Sequence, residues 1–307
     1  MFAPLATSKA ALGLKDDVAL LRGRAADDLV LTTDTIVEGI DFFARDPADT
    51  VSKKALRVNL SDLAAKGAEP AGYLLTLMLP GRIDVRWLRS FTKGLRADQR
   101  KYGIALLGGD LSATRGPLSV SITALGSVPK GRAVLRSGAK PGDLVFVTGT
   151  IGDSGGGLAA LKAKKREAAL IARYRVPEPR VAFGPALRGI ASAAIDVSDG
   201  LLADLGHLAD VSNVRIAIDA TSIPLSAALR NMWGTSEAVL VHATTAGDDY
   251  EIAFTAPPKE RARILAAAKR SGTRVSEIGV VKKGRGAQLI GSDGRPLRVK
   301  NRGWQHF

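Results

Sequence analysis

Short runs rich in apolar and β-branched residues alternate along this chain with stretches of helical periodicity, and nothing else in the sequence restricts the fold as much. The pattern implies a mixed α and β protein. Strands are expected at 29–31, running on into the threonines, at 73–79, at 104–107, and in LSVSITALGSV at 118–128. In the last of these, Leu118, Val120, Ile122 and Ala124 alternate with Ser119, Ser121 and Thr123, so one face is polar. Helical patterns fill 50–66 and 84–102.

Gly, Pro and basic residues cluster in VPKGRAVLRSGAKPGD, which places a domain boundary near residue 134. This divides the chain into an N-terminal α/β domain, 1–134, and a C-terminal α+β domain, 135–307. A length of 307 residues suits two domains. The second begins with strand DLVFVTG (143–149), a glycine-rich loop and a single helix LAALKAKKREAALIARY (158–174). Strand AAIDV, helix 200–210, strands RIAID and YEIAFTA, helix 259–271 and terminal strands follow.

Several function classes fall away. The chain has no Cys, which removes disulfides, Cys-ligated zinc and thiol catalysis. The N-terminus has no basic start followed by a long apolar run, and AGYLLTLMLP is too short to span a bilayer. A cytoplasmic protein without a membrane partner is expected. The net charge of +14 favours anionic partners. Yet the basic residues are scattered and aromatics are only 5%, thin for base stacking, so a specific nucleic-acid partner is not expected. GDSGG at 152–156 spells a serine-protease nucleophile loop. However, His207, His242 and His306 all follow it, against the chain order such an enzyme needs. A strand-to-helix turn capped by Asp153 or Ser154 fits better. There is no Walker-type phosphate loop, no G-x-G-x-x-G after the first strand and no zinc spacing.

The remaining signal is a set of aspartates beside apolar runs: Asp16 and Asp17, Asp34 in TTDT, Asp62, Asp110, Asp196 and Asp199, and Asp248 and Asp249. Carboxylates there are costly unless paired or metal-bound. They are also what Mg²⁺ takes, with phosphate oxygens and water completing the octahedron, and Thr32 and Thr33 can add oxygens. Each aspartate alone also has an ordinary reading. Asp62 can pair with Lys66 one turn on, Asp199 can cap helix 200–210, and Asp110 can be a turn residue.

LTTDTIVEGIDF, KALRVNLSDLAAKGAEP, LLGGD, GRAVLRSGAKPGD, AIDVSDGLLADLGH, GDDYEIAF and the terminal RGWQHF together resemble the thiamine-monophosphate kinase family. That family lies in the superfamily of aminoimidazole ribonucleotide synthetase and selenophosphate synthetase. The similarity runs in order from about residue 12 to the end. It implies transfer of the ATP γ-phosphate to thiamine monophosphate, with several Mg²⁺ ions as cofactors. It also implies a homodimer in which N-terminal strands of two chains form a barrel, with the active site between domains. By resemblance, Asp17, Thr32, Thr33, Asp34, Asp62, Asp110, Asp196 and Asp199 are metal positions, with Asp34, Asp62 and Asp110 acting catalytically through the metal. Gly109, Asp110, Arg136 and Ser198 match nucleotide contacts, and Asp41, Asp248 and Trp304 match substrate contacts.

Three departures stand out. Asp41 occupies a position where the family usually has His, Leu14 and Lys15 replace glycines before the Asp pair, and the family's upstream helical segment is missing, which points to a late start or a shortened N-terminus. Absence of Cys rules out selenophosphate synthetase and the hydrogenase-maturation dehydratase of the same superfamily. The alternatives are an aminoimidazole ribonucleotide synthetase or a basic nucleic-acid-binding protein without catalysis.

Overall fold

A computed structural model describes residues 2–14, 19, 21, 23–81 and 84–304. The chain divides into two compact units, Met1–Leu63 with Ala68–Ala133, and Ala64–Gly67 with Val134–Phe307.

The first unit is a four-stranded sheet with two long helices. Its elements are β1 (Asp27–Val37), α1 (Ala48–Ala65), β2 (Glu69–Pro80), α2 (Val85–Tyr102), β3 (Leu106–Thr114) and β4 (Ser119–Pro129). The sheet order is β1-β4-β2-β3, antiparallel except for the parallel β2–β3 pair. Alternation in β4 buries Val120, Ile122 and Ala124, as its sequence pattern requires. Leu56, Leu60 and Leu63 of α1, Phe91 and Leu95 of α2, and Tyr73, Leu75 and Leu77 of β2 are buried in the same unit. Arg57 of α1 meets Asp98 of α2 in a buried bidentate pair at 2.7 and 2.8 Å, which fixes the two helices in register. Asp84 accepts the Arg86 amide at the start of α2, and Gly103 ends it in the left-handed conformation.

The other face of this sheet is different. Leu29, Leu31 and Leu74 are exposed, and Thr33, Thr35, Ser121 and Thr123 lie among them in the ladder. β3 runs through the glycine pair rather than stopping before it, so Asp110 is a strand residue and not the turn residue its Gly-Gly-Asp context allows.

The second unit is a six-stranded sheet, order β10-β7-β9-β5-β8-β6, with helices on both faces. Its elements are β5 (Leu144–Thr148), α3 (Asp153–Lys162), α4 (Ala168–Arg175), β6 (Ala193–Asp196), α5 (Leu201–Ser212) and β7 (Arg215–Asp219). Next come α6 (Ala227–Trp233), α7 (Glu237–Thr244), β8 (Ile252–Ala256), α8 (Arg261–Ser271), β9 (Val275–Lys282) and β10 (Gly286–Ile290). Every residue of β8 is buried, because alternate side chains enter two separate cores. Val145, Val147, Ile195 and Ala253 face the α5 side, while Phe146, Ala194 and Phe254 face α8, with the Phe146 and Phe254 rings stacked at 5.2 Å.

The expected single helix at 158–174 is two. Its first part starts earlier, inside the glycine-rich segment, and breaks at Lys164, which takes φ 55°. The glycines serve packing: a Cβ on Gly157 would lie 2.2 Å from the Leu170 carbonyl of α4. Helices α6 and α7 have no counterpart among the elements expected from the sequence. Among the described residues no helix is long and apolar enough to cross a membrane.

Candidate active site

The alternation of β1 sends Thr32, Asp34 and Ile36 to one side and Thr33 and Thr35 to the other. On the first side lies α1, where Asn59 and Asp62 are one turn apart and share a face. The Thr32 hydroxyl donates to Asp62 Oδ2 at 2.5 Å, and the Asp34 amide donates to Asn59 Oδ1 at 3.1 Å. Asn59 is held in turn by the Ala55 carbonyl at 3.0 Å. Burial, then the charge of Asp62 and the hydrogen bond with it, then Asp41, push the Asp34 carboxyl up to about 7. Asp62 therefore pairs with β1. Lys66, its expected helical partner, instead donates to the Ala194 carbonyl at 2.8 Å.

The Thr33 hydroxyl is directed elsewhere, donating to the Ile122 carbonyl and accepting from Thr123. Asp41 Oδ2 accepts the Val37 amide at 2.7 Å and closes the turn after β1. Asp110 is exposed, in register with Thr76, and accepts from Ser112 Oγ at 2.8 Å. Beside it, a Cβ on Gly109 would lie 2.0 Å from the Leu75 carbonyl oxygen, so the strand itself demands glycine there. Asp17 lies outside the described residues.

The second unit gathers another group. Asp196 ends β6 and is buried. The turn that follows, Val197–Gly200, meets two segments distant in sequence. The Asp248 amide donates to the Ser198 carbonyl at 2.7 Å, the Tyr250 amide to the Val197 carbonyl at 2.7 Å, and the Trp304 amide to the Asp199 carbonyl at 2.9 Å. Asp248 and Tyr250 both take positive φ, 61° and 51°, and the Tyr250 hydroxyl donates to Asp248 Oδ1 at 3.2 Å. Ser198, Asp199, Asp248 and Trp304 are thus brought together. Arg136 follows Leu135, whose carbonyl accepts the amide of Ala194 on β6, the strand that leads into this turn, and its own carbonyl accepts from Ser212 Oγ at 3.4 Å.

Two further carboxylates carry the framework, and neither was singled out for that role from the sequence. Asp199 does not cap α5; the cap is Gly200, and Asp204 in the first helical turn accepts the amides of Ser198, Asp199 and Gly200. Burial and the Asp199 charge push Asp204 up to about 7 despite those donors. Likewise neither Asp153 nor Ser154 caps α3 with its side chain. Asp249 does so from across the unit, accepting the Gly152 amide at 2.7 Å and the Ser154 amide at 3.3 Å. Burial raises its carboxyl to about 8. Next to it, Glu251 is fully buried and held by Arg173, Arg180 and Thr148. An acidic residue in the first turn of a predicted helix was a legible sign for Asp204. No local pattern marks Asp249, because its partners are 95 and 97 residues away.

The paired carboxylates Asp34 and Asp62 with the Thr32 hydroxyl form a hard-oxygen donor set, and a divalent cation would offset their mutual repulsion. That set fits Mg²⁺. Among the described residues no three acidic or histidine side chains are gathered to hold a metal ion, so this pair alone would supply only part of a coordination shell.

The family model for the N-terminal domain of AIR synthase related proteins matches residues 15–128, and that for the C-terminal domain matches 140–292. The chain is 45% identical over 304 residues to the thiamine-monophosphate kinase of Caulobacter vibrioides, covering 96% of this chain and 85% of that one. The crystal structure of thiamine-monophosphate kinase from Stenotrophomonas maltophilia K279a superimposes with a TM-score of 0.88 at 40% identity, covering 96% and 94% of the two chains. AaThiL complexed with AMPPCP and TMP superimposes with a TM-score of 0.81 at 33% identity, covering 93% and 89%. Fold and site together define a two-domain protein of the AIR synthase related class. Within that class, the chain belongs to the thiamine-monophosphate kinase family.

Proposed function

We propose that this protein transfers the γ-phosphate of ATP to thiamine monophosphate, giving thiamine diphosphate and ADP. The observation that carries this reading is the Asp34–Asp62 pair with its Thr32 hydroxyl, in a chain of the kinase family. Two polyanions must approach within bonding distance, and the attacking atom is already a phosphate oxygen. The protein therefore has to position groups and stabilise charge, with no need of a dedicated general base.

In this reading Asp17, Thr32, Thr33, Asp34, Asp62, Asp110, Asp196 and Asp199 hold Mg²⁺, and Thr33 contributes its carbonyl, because its hydroxyl is engaged on the other side of β1. Bound there, Mg²⁺ supplies the positive charge that offsets repulsion between the phosphates. Asp34 and Asp62 keep their carboxylates together on β1 and α1, and Asn59 fixes the backbone of β1 at Asp34. Gly109, Asp110, Arg136 and Ser198 contact the nucleotide. Asp41, Asp248 and Trp304 contact thiamine monophosphate, Trp304 offering its ring face to the cationic thiazolium.

The same reading makes the protein a homodimer, with strands of the first unit's sheet joining those of a second copy in a barrel. The exposed leucines on the uncovered face of that sheet support it. Incubation with ATP, Mg²⁺ and thiamine monophosphate tests the activity. Thiamine diphosphate is the expected product, with ATP consumption dependent on the acceptor. Equal ATP consumption without acceptor overturns the reading, and turnover of formylglycinamidine ribonucleotide replaces it with the synthetase activity.

A further inference from the structure

We infer that Asp204 is a positioning residue for thiamine monophosphate: by drawing three backbone amides to one oxygen, it sets the turn on which the Asp248 and Trp304 segments are seated. The kinetic half of this inference rests on the proposed kinase activity, and the structural half does not.

The side chain of Asp204 is 2% exposed in the first turn of α5, among the buried Leu201, Leu202 and Leu205. Its Oδ2 alone accepts the amides of Ser198, Asp199 and Gly200, each at 3.1 Å. Three consecutive N–H groups aimed at one point leave the intervening carbonyls aimed away from it. Those carbonyls are the acceptors that catch the two remote segments. Ser198 O takes the Asp248 amide at 2.7 Å, and Asp199 O takes the Trp304 amide at 2.9 Å. The approach is close enough to require glycine in both incoming segments. A Cβ on Gly247 would lie 2.8 Å from Ser198 O, and one on Gly303 would lie 2.5 Å from Asp199 O and 2.7 Å from the Ala203 Cβ. Asp248 is seated in a left-handed conformation that a non-glycine residue holds only when its surroundings impose it. No side chain of the two segments needs to touch Asp204 for the effect to reach them.

Three variants test this. Asp204→Leu keeps a branched side chain of good helix propensity in the first turn of α5 but offers no acceptor. Asp204→Asn keeps an oxygen in place. Gly303→Ala leaves Asp204 alone and pushes the C-terminal segment off its seat. The first readout is amide hydrogen exchange. In Asp204→Leu the Asp248 and Trp304 amides should exchange at least about tenfold faster, while β5 and β8 keep their protection. The second is steady-state kinetics. kcat/KM for thiamine monophosphate should fall on the order of 10²-fold, the scale of a misplacement of about 1 Å, mainly through KM. Asp204→Asn should resemble the parent in both.

Retained protection in Asp204→Leu overturns the inference, as does an Asn variant as impaired as Leu. Loosened amides with unchanged kinetics sever the link to substrate and overturn it as well. If Asp204→Leu does not fold, Gly303→Ala decides: Trp304 should lose protection and the KM for thiamine monophosphate should rise, and no change in either overturns the inference. A parent protein that does not phosphorylate thiamine monophosphate refutes the kinase reading instead, and the exchange result still stands.

Discussion

Asp34 sits where its charge is least welcome without a cation. Its carboxyl is pushed up to about 7 by burial and by Asp62. The unfolded chain would titrate it near 4, so between about pH 4 and pH 7 the folded state holds a proton that the unfolded state has lost. Metal-free stability from this group is therefore full below pH 4 and declines as pH rises towards 7. Asp34→Asn does not titrate. In EDTA it should melt higher than the parent, by a margin that grows across that window, and saturating Mg²⁺ should reduce the margin by stabilising only the parent. Its kcat should fall by roughly 10²–10³, as when one preorganised electrostatic group is lost. Parental turnover across a Mg²⁺ titration would refute the metal assignment. The pairing behind this was half visible in the sequence. TTDT and NLSD announce carboxylates at the ends of apolar runs, but which face of β1 each residue takes depends on ladder register. That is why Thr33 looked equivalent to Thr32 and is not.

Elements show a similar division between what is local and what is not. Helix α3 begins at an amide pair satisfied by Asp249. Asp249→Ala should destabilise the protein by about 1–3 kcal/mol, the cost of losing a cap and leaving a buried donor unpaired. Asp153→Asn, which leaves Asp249 on the cap, should cost less in the same thermal melts. The carboxyl of Asp249 is raised to about 8, so its contribution is full below about pH 4 and lost as pH rises through 8. The advantage of the parent over Asp249→Asn should accordingly shrink between pH 4 and pH 8, and a gap widening with pH would contradict the assignment. Strand patterns in β2, β4, β5 and β8 were readable because period-2 alternation or a fully apolar run is a local property. The break between α3 and α4 was not, because AKKRE is made of good helix formers while three packed glycines pull the helix start upstream. Helices α6 and α7 are short; Ser226 caps the first with its side chain and Ser236 at the start of the second makes no capping bond, signals too brief to stand out beside the longer patterns.

For the whole molecule, the open face of the first unit's sheet is the feature that the chain alone leaves unexplained. Leu31 is 62% exposed, with Leu29 and Leu74 on the same face, in a sheet whose opposite face is packed on two helices. Among the described residues β1 and β3 are also the edge strands of this sheet. A second copy would cover both liabilities at once, burying the leucines, while the threonine and serine hydroxyls of the same face already bond to one another and to the Ile122 carbonyl. The expected mass in solution is twice that of the chain. In a two-fold symmetric contact each substitution counts twice. Burying a leucine contributes roughly 1.5–3 kcal/mol, so Leu31→Lys should remove up to about 3–6 kcal/mol of association free energy. That corresponds to a dimer dissociation constant raised by roughly two to four orders of magnitude. Sedimentation equilibrium over a dilution series measures it. Because Leu31 points away from the Thr32–Asp34–Asp62 side of β1, the variant should keep its fold by circular dichroism while it dissociates. A parent that is monomeric at all concentrations and fully active would end the dimer reading, and the exposed leucines would then need another partner.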